Sequence, residues 1–233
     1  MPQTLMRKCG FMKGNRIVLV LLAAVGVVTS CKSIGITAKE AEAGYATSIA
    51  DIDAISLGTT TFYAKSFGKL KQKTVSKFFV APRRNTVELH LHDGVNFIKV
   101  VMKQGAREQV IKATQQFVYE WDEHTLQNVK ANAKNAYVKG CMDFSFGVVS
   151  AVHELEGIPF YMNCIFMDGQ PYLVMRIPSQ KVKNEDGVYS PYTEIYFSRS
   201  QAESLAERLS QEYLEKLVQD NTFVEQQLYE QAE

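Results

Sequence analysis

Val87-Glu88-Leu89-His90-Leu91-His92-Asp93-Gly94 is the stretch whose reading decides the fold. Val87, Leu89 and Leu91 alternate with Glu88, His90 and His92, the period of two that belongs to a strand with one buried face. Asp93-Gly94 follows, a pair that accepts the positive φ values of a type I′ turn. The return strand runs from Val95 to Met102, so the segment predicts an antiparallel hairpin. A second run repeats the chemistry: Phe160 to Met167, the turn Asp168-Gly169, then Tyr172 to Ile177.

Further strands are expected at Thr59 to Tyr63, at Phe78 to Val80 before the turn Pro82-Arg83-Arg84-Asn85, at Ala136 to Val138, at Phe144 to Val149 and at Thr193 to Phe197. Ala106 to Asn128 lacks Pro and Gly and places Val110, Thr114, Phe117, Val118 and Trp121 at helical spacing, an amphipathic helix. Ser200-Gln201-Ala202-Glu203 reads as a capping box opening a helix through Leu205, Leu209 and Tyr213 to about Val218. A second box, Thr222 to Glu225, opens a final segment.

These elements predict an α+β fold: an antiparallel sheet built from Asp-Gly hairpins, packed against two long amphipathic helices, as one domain over residues 49–233. Val100-x-Met102-x-x-Gly105-x-x-Glu108-x-Val110 aligns with Ile195-x-Phe197-x-x-Ser200-x-x-Glu203-x-Leu205. Read as duplication, the alignment gives two ββα repeats with halves at 57–128 and 136–219.

The 233 residues carry 26 Lys+Arg against 25 Asp+Glu, a net charge of +1, and are 46% apolar. That is enough to fill a core and too little positive charge for a broad nucleic-acid footprint. The charge is unevenly placed. Residues 1–30 contain Arg7, Lys8, Lys13 and Arg16 and no acid, and the last twelve apolar positions before Thr29 run from Ile17 to Val28. The run is too short to span about 30 Å of hydrocarbon, and a basic flank before a short apolar core is the pattern of an export signal.

Val28-Thr29-Ser30-Cys31 closes that segment and resembles the lipobox of bacterial lipoproteins. The resemblance implies removal of residues 1–30, a diacylglycerylated Cys31 with a further acyl chain on the new amino terminus, and a tether over 31–48. More than one acyl chain gives stable anchoring where a single chain holds only marginally. Lys32, rather than Asp, after the cysteine points to the outer membrane by the same resemblance. Without the four basic residues of the leader, 22 Lys+Arg stand against 25 acids, a net charge of −3.

Cys141 and Cys164 fall in neighbouring predicted strands and are a candidate disulfide in an oxidising envelope. Glu88, His90 and His92 project from one strand face and are a candidate metal set, weighed against the plain polar face of an amphipathic strand. Lys69-Leu70-Lys71-Gln72-Lys73 with Lys77, Arg83 and Arg84 is the most basic patch, able to touch anionic headgroups or simply to be solvated. No Gly-x-Ser-x-Gly elbow, phosphate loop, dinucleotide fingerprint or Cys-x-x-Cys pair is present, so no cofactor is expected. The expected function is therefore a non-enzymatic, membrane-anchored envelope lipoprotein that binds an envelope protein. The alternative is a carrier of an apolar ligand in a cleft between sheet and helix; a metal-binding protein is the weaker third.

Overall fold

A computed structural model describes residues 54–93, 96–128, 132–148 and 151–232. The hairpin read from the sequence is present as β5 (Thr86–Asp93) and β6 (Asn96–Met102). Leu89 pairs with Val100 and Leu91 with Ile98, so the apolar residues of both strands share one face. Asp93 pairs with Asn96, which makes Asp93 the last strand residue rather than the centre of the turn.

Eight more strands complete a single sheet: β1 (Ile55–Ser56), β2 (Thr61–Ser66), β3 (Lys69–Thr74), β4 (Lys77–Ala81), β7 (Val138–Val148), β8 (Ala151–Met167), β9 (Gln170–Ile177) and β10 (Thr193–Phe197). Their order is β1-β4-β5-β6-β7-β8-β9-β10-β2-β3, with every ladder antiparallel. The two terminal strands of that order belong to one bent hairpin. Leu57 N–H donates to the Phe78 carbonyl and Val75 N–H to the Thr60 carbonyl, so the β1–β4 and β2–β3 ladders are two parts of one pairing between residues 55–66 and 69–81. One end of this hairpin joins β5 and the other joins β10, and the sheet curls until it meets itself.

A bulge supports the curl. Met142 pairs with Ile158 and Phe144 with Leu155, so Asp143 faces two residues of β8. Gly157 takes φ +60 there, and its N–H donates to Asp143 Oδ1 at 2.9 Å. The concave face is closely filled. Phe62, Leu89, Leu91, Val100, Met175, Ile195 and Phe197 of five strands meet Leu205 around a void of only about 10 Å³.

The expected sheet on two long helices is corrected by this arrangement. Among the described residues the sheet has ten strands, its concave face packs largely against itself, and there are three α-helices: α1 (Gln104–Asp122), α2 (Arg199–Leu209) and α3 (Gln211–Ala232). The second expected helix is broken at Ser210, whose ψ of 142° is extended and whose Oγ accepts from the Tyr213 amide. The cap of α2 lies two residues earlier than expected: Ser198 and Gln201 exchange the reciprocal bonds of a capping box. Thr222 is inside α3, its hydroxyl donating to the Val218 carbonyl, and starts nothing.

Each of α1 and α2 is preceded by four meandering chain segments rather than two, which corrects the ββα unit. Nor are the hairpins all of Asp-Gly type. Asp168-Gly169 turns with φ +50 and +77, but Phe67-Gly68 turns in the same conformation with φ +50 and +79.

Candidate functional site

An antiparallel meander sends successive turns to opposite ends of a sheet. One end holds the turn 82–85, the junctions into α1 and α2, and Asp168-Gly169. Arg107 of α1 fastens this helix end: its guanidinium donates to Asn85 Oδ1 at 2.7 Å, to Gln211 Oε1 at 2.9 Å and to the Leu209 carbonyl at 3.4 Å. The other end holds the hairpin tips after Ser66, Asp93 and Val148 and the excursion between β9 and β10. That excursion doubles back through the Lys181–Tyr189 bridge, buries Val182 and reaches His153 of β8 through Glu185.

The exposed large apolar residues collect at this loop end. Phe67, Val148, Val152, Tyr189 and Tyr192 all lie there, and Tyr119 of α1 is the exception among the described residues. Phe67 is 100% exposed at the tip of the β2–β3 hairpin. β3 pairs with β2 on one side and with no described strand on the other, and presents Lys69, Lys71 and Lys73 to solvent or half-buried; Lys65 stands on β2. Of the basic patch seen in the sequence, Lys69, Lys71 and Lys73 belong to a projecting hairpin with an aromatic tip, whereas Lys77 lies on β4 and Arg83 and Arg84 lie in the turn at the opposite end. Sequence reasoning missed Phe67 because Phe-Gly between strand formers reads as core aromatic, whereas Gly68 flanked by lysine-rich strands was the available turn signal.

The convex face of β8, β9 and β10 carries a buried polar network. Arg176 Nε donates to Glu194 Oε1 at 2.7 Å, and its guanidinium also donates to Asn163 Oδ1 at 3.3 Å. Tyr192 and Tyr196 donate their hydroxyls to the same Glu194 carboxylate. Burial pushes the Glu194 carboxyl up, but the hydrogen bonds from Tyr196, Arg176 and Tyr192 outweigh it and hold it below the ordinary value. Asn163 extends the network by donating to the carbonyls of Asn132 and Asn135. Convergent donors on one carboxylate fix the register of these strands.

A cleft of about 350 Å³ lies at the helix end, lined by Glu120, Thr125, Gln127, Asn135, Tyr137, Asn163 and Cys164. Tyr137 donates to Glu120 and its own ionisation is pushed far up, first by burial and then by that bond. Burial and the Glu120 charge raise the Cys164 thiol to about 12, so it stays protonated and is a poor nucleophile.

Cys164 is a free buried thiol, and the expected Cys141–Cys164 disulfide does not form. Cys141 pairs with Pro159, whereas Cys164 stands five residues further along β8, opposite Leu173 of β9. Five residues along a strand is roughly 16 Å, far beyond disulfide reach.

The metal set does not assemble either. Glu88 and His90 meet at 3.2 Å, but His90 lies between Phe79, which it meets at a tilt, and Phe97, which it meets edge-on, and His92 rests against the Phe97 ring. Burial lowers the His90 pKa despite Glu88. Among the described residues no group of three potential ligands could hold a metal. Nor is that face the plain polar surface weighed beside it, since Glu88 is buried. Cys31 lies outside the described residues.

The curled antiparallel sheet with helices at one end defines a mixed α and β protein whose exposed large apolar residues, Tyr119 apart among those described, gather at the loop end of its sheet. Over residues 39–216 the chain matches the family described as "Uncharacterised Treponema protein"; it belongs to that family and is a bacterial protein. No curated protein and no solved structure matches it.

Proposed function

We propose that this chain is a lipid-anchored lipoprotein of the bacterial cell envelope, a non-enzymatic interaction module whose working surface is the loop end of the sheet. The observation that carries the reading is Val28-Thr29-Ser30-Cys31 placed directly after a basic flank and a short apolar run. Lys32 favours the outer membrane. No helix among the described residues is long and apolar enough to cross a membrane. In this reading the acyl groups on Cys31 supply the attachment.

The concentration of exposed Phe, Val and Tyr at the loop end supports binding as the task. Carriage of an acyl chain draws no support from the concave face, where the void among the core residues is about 10 Å³.

Detergent-phase partition tests the anchor. The parent chain, expressed in a bacterium that processes lipoproteins, enters the detergent phase and incorporates labelled palmitate. Cys31→Ser abolishes the label, and a label that persists in this variant overturns the reading.

A further inference from the structure

The β2–β3 hairpin carries two features that the fold itself does not use. Phe67 occupies the left-handed region at φ +50, a conformation that favours Gly, Asn or Asp and disfavours a bulky residue. The ring is 100% exposed and touches nothing that would compensate. Lysines on an edge strand protect it from pairing with other chains, and that accounts for Lys69, Lys71 and Lys73. It does not account for a strained, solvent-facing phenylalanine at the tip. The pairing of Lys65, Lys69, Lys71 and Lys73 with an aromatic tip is the chemistry of an anionic bilayer surface, where ammonium groups meet headgroups and the ring enters the acyl boundary.

The exposed apolar residues of the loop end fit the same target, and its exposed acids are met by basic partners, Glu154 by Lys99 and Asp186 by Lys181. Val148 and Val152 flank a second tip, and Tyr189 and Tyr192 stand on the β9–β10 excursion. They belong to different turns of the sheet, and a fluid surface accepts each of them without a matching pocket. A folded protein partner would instead call for one contiguous apolar patch with a polar rim. Tyrosine is also suited to the headgroup level, with an apolar ring and a wet hydroxyl.

We propose that the loop end, led by Phe67, docks on the anionic headgroups of the bilayer that holds the acyl anchor. The proposal rests on the anchor reading. β1 begins at the helix end, where Arg208 donates to the carbonyls of Leu57 and Thr59, so a link from β1 to a bilayer at the loop end has the length of the sheet to cover. Residues 32–53 can span up to roughly 70 Å when extended, against roughly 36 Å for an eleven-residue strand such as β7. The reach is sufficient, and tethering makes the anchoring bilayer the surface met at highest effective concentration.

The test uses the acylated full chain reconstituted in vesicles, with Phe67→Trp read against the parent, whose one tryptophan is the constant background. Flotation first separates chains held by the anchor, so failure of the anchor shows as protein left at the bottom. In the floated fraction, the indole introduced by Phe67→Trp is quenched by brominated acyl chains in phosphatidylglycerol vesicles. Changing Lys65, Lys69, Lys71 and Lys73 together to Gln, or using phosphatidylcholine alone, lowers its lipid-bound to free ratio roughly tenfold or more. Three outcomes overturn the proposal. One is an indole at position 67 that stays open to aqueous quencher in chains floated on anionic vesicles. The second is quenching only by added protein-free vesicles, which assigns the tip to a facing membrane. The third is protection that follows protein density rather than lipid charge, which assigns it to a second copy.

Discussion

Phe67 is where a single residue shows the tension between folding and surface chemistry. A type I′ turn with φ +50 and +79 suits Asn-Gly, and the chain places Phe-Gly there. Phe67→Asn is expected to raise stability by about 0.5–1 kcal/mol, since Asn tolerates the left-handed region. Thermal unfolding in the absence of lipid measures it, and an unchanged or lower midpoint contradicts the strain. Cys164 gives the opposite lesson, a reactive side chain made inert by its surroundings. Its thiol is raised to about 12, so at pH 8 only about one molecule in ten thousand is thiolate. Peptide mapping after iodoacetamide should find Cys164 unmodified in the native protein and modified in urea.

Among the elements, β8, β9 and β10 depend on the carboxylate they share. Glu194→Gln removes the charge that Arg176 faces across the strand pair and keeps the side-chain volume. The expected loss is about 2–4 kcal/mol by denaturant unfolding. The pH dependence has a defined sign. The folded carboxyl titrates below its ordinary value of 4.5, so its stabilisation is complete above that value and is lost as pH falls through the lower folded one. The parent chain should therefore lose stability below about pH 4.5 more steeply than Glu194→Gln does. The break between α2 and α3 belongs to the same scale. Ser210 caps both sides, its N–H donating to the Glu207 carbonyl and its Oγ accepting from the Tyr213 amide. The long helix expected from the spacing of Leu205, Leu209 and Tyr213 divides there.

For the whole molecule, Arg107 is the closing bolt. It lies 1% exposed and joins the turn before β5 to the α2–α3 break, elements more than 100 residues apart in the chain. Arg107→Met keeps the apolar stem but leaves buried acceptors without a donor, for an expected loss of about 3 kcal/mol. Calorimetry should show one cooperative transition moved to lower temperature; two separate transitions would mean that the sheet and its helix end unfold independently.

The period-two alternation at Val87 to His92 was enough to place β5, because each side chain's face follows from local pleat geometry. The helical spacing of Val110, Thr114 and Phe117 located α1 in the same way. The proposed export signal rests on equally local features, charge, run length and one cysteine. What no local pattern contains is which strands become neighbours. Register across β7, β8 and β9 separates Cys141 from Cys164, and Phe97 stands across both His90 and His92, so two plausible constellations dissolve once the pairings are known. The gathering of Phe67, Val148, Val152, Tyr189 and Tyr192 at one end arises the same way. They are scattered over 126 positions of sequence, from 67 to 192, and only the antiparallel meander, by sending every second turn to the same end, brings them to one end of the sheet.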